Sequence, residues 1–211
     1  MPKRKNLRWL QSGAWLVFAL LACLIALGWT RSVDVAISYW IHAHSSSTLD
    51  SIMLVLTKLG DAEVVAPLVV LTAGLMWRYG RREDGWFVVG GVAAAAAANL
   101  GLKFLFERPR PELWQSAINE SGFSFPSGHA MVSSAFLLSL MYIAWNTRWR
   151  VPAIVAACVI IPVIGFSRVY LGVHYPADIL GGWLAALALV LTLANSKLRT
   201  WLRSPTGSEN H

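Results

Sequence analysis

The sequence predicts an all-α, polytopic integral membrane protein with six transmembrane helices plus an interfacial helical segment. Three observations carry that prediction. Of 211 residues, 56% are hydrophobic and only 14% are charged, and the mean hydropathy is +0.53, a membrane composition rather than a soluble one. The apolar residues collect into six runs near the length that crosses about 30 Å of hydrocarbon as a helix. The basic residues then fall unequally on the loops that these runs would alternate between.

The first run covers 14–30, AWLVFALLACLIALGWT. Lys3, Arg4, Lys5 and Arg8 precede it as they would a signal peptide. The run is long for such a segment and ends LGWTRS without a small-x-small cleavage site, so it is expected to remain as a span. Residues 33–59 mix polar and apolar side chains at helical spacing and are expected to lie at the interface instead of crossing. The second and third runs cover 62–79 and 85–106. GGVAAAAAAN in the third, like Gly181 and Gly182 in the sixth, offers small side chains for close helix packing. The remaining runs cover 129–146, 151–167 and 176–195. Cys23 and Cys158 each sit inside a run and are expected to be buried apolar residues rather than a disulfide or metal pair. With no soluble segment or long linker, residues 1–211 are expected to form a single membrane domain.

If the six runs alternate, 12 of the 18 basic residues share one side with 3 of the 11 acidic ones. That side carries +9 and the other −2, which add to the net +7. Lys and Arg in short loops mark the cytoplasmic face, so both termini are expected to be cytoplasmic and the net charge speaks for topology and anionic lipid, not nucleic acid. Trp15, Trp29, Trp77, Trp86, Trp145, Trp149 and Trp201 fall near the expected interfaces, where an amphipathic indole is favoured.

The polar residues of chemical interest fall in three stretches, all on the exterior side: KFLFERPRP (103–111), PSGH (126–129) and SRVYLGVHYPAD (167–178). Lys103 near a span end needs an anionic partner or must snorkel. Arg110 and Arg168 bring rigid guanidinium forks that suit phosphate oxygens. Alone, PSGH reads as an ordinary helix cap; beside three cations, Ser127 and Gly128 also open a helix whose amides face an anion. His174 and Asp178, four apart, are expected on one helix face, the carboxylate holding one ring nitrogen and leaving the other nucleophilic toward phosphorus. His129 is then placed as general acid. No carboxylate cluster or His/Cys set has metal-ligand spacing, so no metal and no cofactor is expected.

Together the three stretches resemble the signature of the type-2 phosphatidic acid phosphatase superfamily, which also includes vanadium-dependent haloperoxidases. Lys103 with Arg110-Pro111, Pro126-Ser127-Gly128-His129, and Ser167-Arg168 with His174 and Asp178 match its three parts in order. The resemblance implies that His174 forms a phosphohistidine, Asp178 orients it, and His129 is acid and then base. It also implies that Lys103, Arg110, Ser127, Gly128 and Arg168 hold the phosphoryl oxygens. Arg108 is left as a neighbour in contact with a headgroup, and Phe123 and Phe125 as lining for a lipid entrance.

The function expected is a lipid phosphatase acting in the outer leaflet of the inner membrane, with undecaprenyl diphosphate as first substrate. Phosphatidylglycerophosphate, phosphatidic acid and lipid A phosphates stand as alternatives, as does transfer of the phosphoryl group to another lipid. A non-enzymatic lipid-phosphate carrier is the remaining class; His174, Asp178 and His129 all being present speaks against it. No obligate protein partner is evident.

Overall fold

The computed structural model describes residues 4–196 apart from residue 117, with side chains from Leu7 onward. The basic residues Lys3, Lys197, Arg199 and Arg203 and the belt residue Trp201 lie outside the described residues. Among the described residues all regular structure is helical. Helix α1 is Arg4–Ala26, α2 Arg31–His42, α3 Ser47–Thr57 (continued by a 3₁₀ turn, Lys58–Gly60), and α4 Ala62–Arg78. Helices α5, α6, α7 and α8 are Arg82–Phe106, Gly128–Ala144, Arg150–Tyr170 and Pro176–Asn195.

Among the described residues, four helices are long and apolar enough to cross a membrane: the Leu7–Ala26 part of α1, α5, α7 and α8. Helix α6 is a shorter apolar helix, and α4 has 17 residues, each extending about 26 Å. The first span runs earlier than 14–30, because Gly28 at φ +75 ends the helix after Ala26. The segment 33–59, expected at the interface, folds as the helices α2 and α3.

Helix α6 is the hub, packing against α5, α7 and α8, while α1 closes on the far side of α8. Its small residues, among them Ser133, Ser134, Ala135 and Ser139, are buried. Gly181 and Gly182 allow the α6–α8 approach: a Cβ on Gly181 would overlap the Phe125 ring, and one on Gly182 would lie 3.0 Å from the Ser127 carbonyl oxygen. Phe125 is therefore a core wedge, fully buried and packed edge-on to Phe106, not lining for a lipid entrance. Phe123 is half-buried and meets the exposed Phe104 edge-on.

Large apolar side chains such as Leu16, Leu20, Val70, Leu105, Val155 and Val159 point outward, as a hydrocarbon surround permits. Cys23 and Cys158 do the same: both are exposed, a correction to the buried positions expected from their runs. In a membrane, an apolar residue has no reason to turn inward.

Candidate active site

The ends of α5 and α7 meet the starts of α4, α6 and α8 at one end of the bundle. The loop 107–127 crosses that end and is anchored at several points. Trp114 stacks on His42 of α2 with centroids 4.1 Å apart, and Ser116 Oγ donates to the Leu171 carbonyl at 2.6 Å.

Helix α8 begins at Pro176 with Asp178 in its first turn. His174 precedes the helix, so it does not share a helical face with Asp178. The pair meets because the carboxylate reaches back: Asp178 Oδ2 accepts from the Tyr175 N–H at 2.8 Å and lies 3.5 Å from His174 Nδ1. Ser124 Oγ also donates to Oδ2, and Arg108 Nη1 donates to Oδ1 at 2.5 Å. Asp178 is fully buried and meets a donor on every side, which a buried carboxylate requires.

Arg110 Nη1 lies 3.2 Å from His174 Nε2. A guanidinium can only donate, so Nε2 is the unprotonated nitrogen and Nδ1 carries the hydrogen, toward Asp178. Burial pushes the His174 pKa down to about 4, against the hydrogen bond and charge of Asp178; Arg110 and Arg168 add to the fall. The imidazole is thus neutral at ordinary pH with its free nitrogen toward Arg110.

Arg110 is held by backbone, donating to the carbonyls of Ser121 and Gly122 in its own loop and of Val173 in the connection before α8. Arg168, on the last turns of α7, is 1% exposed and donates to Thr57 Oγ1 at 2.8 Å. The two guanidiniums converge on one carboxylate. Glu120 Oε2 is 3.0 Å from Arg110 Nη2, and Glu120 Oε1 accepts from Arg168 Nη2. Burial alone would raise the Glu120 carboxyl, but Arg168 and then Arg110 outweigh it and hold it below the ordinary carboxylate range.

Lys103 Nζ donates to the Phe123 carbonyl at 2.6 Å, at the end of α5 and within electrostatic reach of Arg110, Glu120, Asp178 and Arg168. Ser127 caps α6, its Oγ accepting from the Ala130 N–H at 3.4 Å, with Gly128 as the first helical residue. Its own N–H donates to the Asp178 carbonyl at 3.1 Å, which joins the start of α6 to that of α8. His129 Nε2 pairs with Asp61 Oδ1 at 2.6 Å. Ser167, part of the matched pattern, turns away and donates to the Ile164 carbonyl of its own helix.

A further expectation is overturned. Arg108 does not face a headgroup: its side chain is 10% exposed and bridges Asp34, at 2.7 Å, and Asp178, at 2.5 Å. It also lies 4.5 Å over the Tyr175 ring. Burial would lower its pKa; the two carboxylates more than offset that and raise it. Sequence reasoning also missed Asp34, Thr57, Asp61, Glu120 and Ser124. Asp34 and Asp61 carried a signal: Asp34 is a lone acid inside an apolar stretch (VDVAISYWI), and Asp61 stands with Glu63 at the head of another (LGDAEVVAP). Glu120 and Ser124 carried none, because only the loop's path brings them in.

The chemistry available at this end of the bundle is that of phosphate-ester hydrolysis: a neutral imidazole with a free nitrogen, and arginines already holding an anion. The PAP2 superfamily model matches residues 84–201. Phosphatidylglycerophosphatase B of Bacillus subtilis (strain 168) is 32% identical over 179 residues, 82% of this chain and 88% of that protein. Undecaprenyl-diphosphatase of Sulfolobus acidocaldarius is 26% identical over 186 residues, 86% of each chain. The crystal structure of the transmembrane PAP2 type phosphatidylglycerolphosphate phosphatase from Bacillus subtilis superposes with TM-score 0.81 at 28% identity, covering 96% of this chain and 100% of that one. Aquifex aeolicus LpxE shares the fold, with TM-score 0.63 at 21% identity over 78% of this chain. The chain belongs to the PAP2 superfamily and is an integral membrane phosphatase, a hydrolase of phosphate esters.

Proposed function

We propose that the protein hydrolyses a lipid phosphate or diphosphate ester through a phosphohistidine on His174. The observation that carries this reading is Glu120. Arg110 and Arg168 both point at its carboxylate, beside the unprotonated Nε2 of His174, so an anion is already held next to a nucleophile. A substrate phosphoryl group replaces that carboxylate, taking Arg110 and Arg168 onto its oxygens with Lys103, the Ser127 hydroxyl and the Gly128 amide. Each charge-assisted contact contributes about 1.5–3 kcal/mol.

In the first step His174 Nε2 bonds to phosphorus and the phosphorus–oxygen bond to the lipid breaks. His129, oriented by Asp61, gives its proton to the leaving oxygen. In the second, His129 takes a proton from water, the water oxygen bonds to phosphorus, and the nitrogen–phosphorus bond breaks to release phosphate. Asp178 keeps the Nδ1 hydrogen throughout and stabilises the positive charge on the ring. Three fixed cations supply the charge that a divalent ion provides in other phosphoryl transfers.

The same reading places six spans in the bilayer, α1 and α4–α8, within one membrane domain, with α2 and α3 at the outer interface. The site then faces the periplasm or exterior and both termini are cytoplasmic; the unequal Lys and Arg distribution supports this orientation. Undecaprenyl diphosphate is the first substrate by this reading. Phosphatidylglycerophosphate is the second, favoured by the 32% identical relative and by the neighbour with TM-score 0.81.

The test is phosphate release by the purified protein in detergent from undecaprenyl diphosphate, phosphatidylglycerophosphate, phosphatidic acid and lipid A phosphate, with and without a chelator. Release from at least one, abolished in H174A while orthovanadate still binds, is the expected result. Wild-type turnover by H174A would overturn the assignment of the nucleophile.

A further inference from the structure

We infer that Asp34, on the interfacial helix α2, is a positioning residue for the reaction, aiming Asp178 at His174 through Arg108. The inference rests on His174 being the nucleophile. Asp34 is outside the matched motifs and 3% exposed, an unusual place for a carboxylate on an interfacial helix. Its two oxygens do different work. Oδ1 accepts from the Ala177 N–H at 2.9 Å, in the first turn of α8, and Oδ2 accepts from Arg108 Nη2 at 2.7 Å.

Arg108 spends its other terminal nitrogen on Asp178 Oδ1. Thr30 Oγ1 accepts from Nη2 at 3.4 Å, and the guanidinium lies over Tyr175, the residue between His174 and Pro176. With Oδ1 of Asp178 taken by Arg108, only Oδ2 is left to face His174 Nδ1, alongside Ser124 Oγ and the Tyr175 amide. The carboxylate plane is therefore set from outside the pair. Asp34 is the fixed end of that chain, since it is pinned to both the loop arginine and the α8 backbone.

The planar fork matters as much as the charge. A guanidinium offers two nitrogens in fixed, diverging directions, whereas an ammonium is a point that cannot grip two carboxylates at set angles. A lysine at 108 keeps the charge and loses the aim. An asparagine at 34 keeps an acceptor for the Ala177 amide and loses the anion that holds Arg108.

The experiment compares D34N, R108K, the double variant and H174A in detergent, measuring kcat with short-chain phosphatidic acid and the inhibition constant of inorganic phosphate. Thermal melting checks that each variant is folded. D34N is expected to lower kcat about tenfold and R108K by as much as about a hundredfold, the cost of a misplaced catalytic group. The phosphate inhibition constant should stay within about twofold of wild type, because neither residue touches the phosphoryl site. D34N should add nothing on the R108K background, since both act on the same carboxylate. Wild-type kcat in both variants, losses that multiply, or phosphate affinity falling with kcat would each overturn the inference. If D34N fails to fold, R108K decides alone by the same split between kcat and phosphate affinity. Turnover by H174A would instead refute the phosphohistidine reading, so the two failures are distinguishable.

Discussion

Acidification tests the buried imidazole directly. His174 is held neutral in the fold with its pKa lowered from 6.5 to about 4, which corresponds to about 3 kcal/mol. The sign follows from proton counts. Between about pH 6.5 and 4 the unfolded chain binds a proton at this residue and the folded chain does not, so stability rises with pH across that window. The contribution is complete above about pH 6.5 and lost as pH falls to about 4. Glu120 is depressed from 4.5, so its own contribution is lost mainly below this window. The assay is unfolding in mixed detergent micelles at several pH values for wild type and H174Q. Glutamine keeps an acceptor for Arg110 and has nothing to titrate. Wild type should lose about 3 kcal/mol more than H174Q between pH 7 and 4. Parallel stability curves for the two proteins would refute the reasoning.

Two more predictions follow from the packing and charge of the site. E120Q removes the carboxylate that a phosphate must displace from Arg110 and Arg168, so inorganic phosphate should inhibit about 10- to 100-fold more tightly, as expected for a charge-assisted contact of about 1.5–3 kcal/mol. Weaker inhibition would mean that Glu120 stays in place and holds the arginines. G181A puts a methyl group into the Phe125 ring and should destabilise the fold by about 1–3 kcal/mol, with partial recovery in a G181A/F125L double variant measured by thermal melting.

Glu120 and Ser124 show why part of the site could not be read in advance. Each is one polar residue in a segment with no local pattern of function, and each acts through a partner distant in the chain: Arg168 for Glu120, Asp178 for Ser124. His174 and Asp178 show a subtler limit. Their spacing suggested a shared helix face, but Pro176 begins the helix after His174, and the contact is made by a carboxylate reaching back to the preceding turn. Arg108 shows the reverse case. A charge next to a membrane reads as headgroup-facing until two buried carboxylates are found to require it.

By itself the sequence determined the membrane character, the helical class and the residues of the three motifs. Hydrophobic run length is a local property set by bilayer thickness, and motif spacing is written along the chain. Tertiary structure decided how those residues are partnered: that Glu120 lies between the two arginines, that the α6–α8 interface closes over Phe125, and that α2 and α3 supply Asp34 and Thr57 to the site. Those outcomes depend on the path of the loop 107–127 and on how closely the helices approach. Both are set by packing between residues far apart in sequence, where no local period records them.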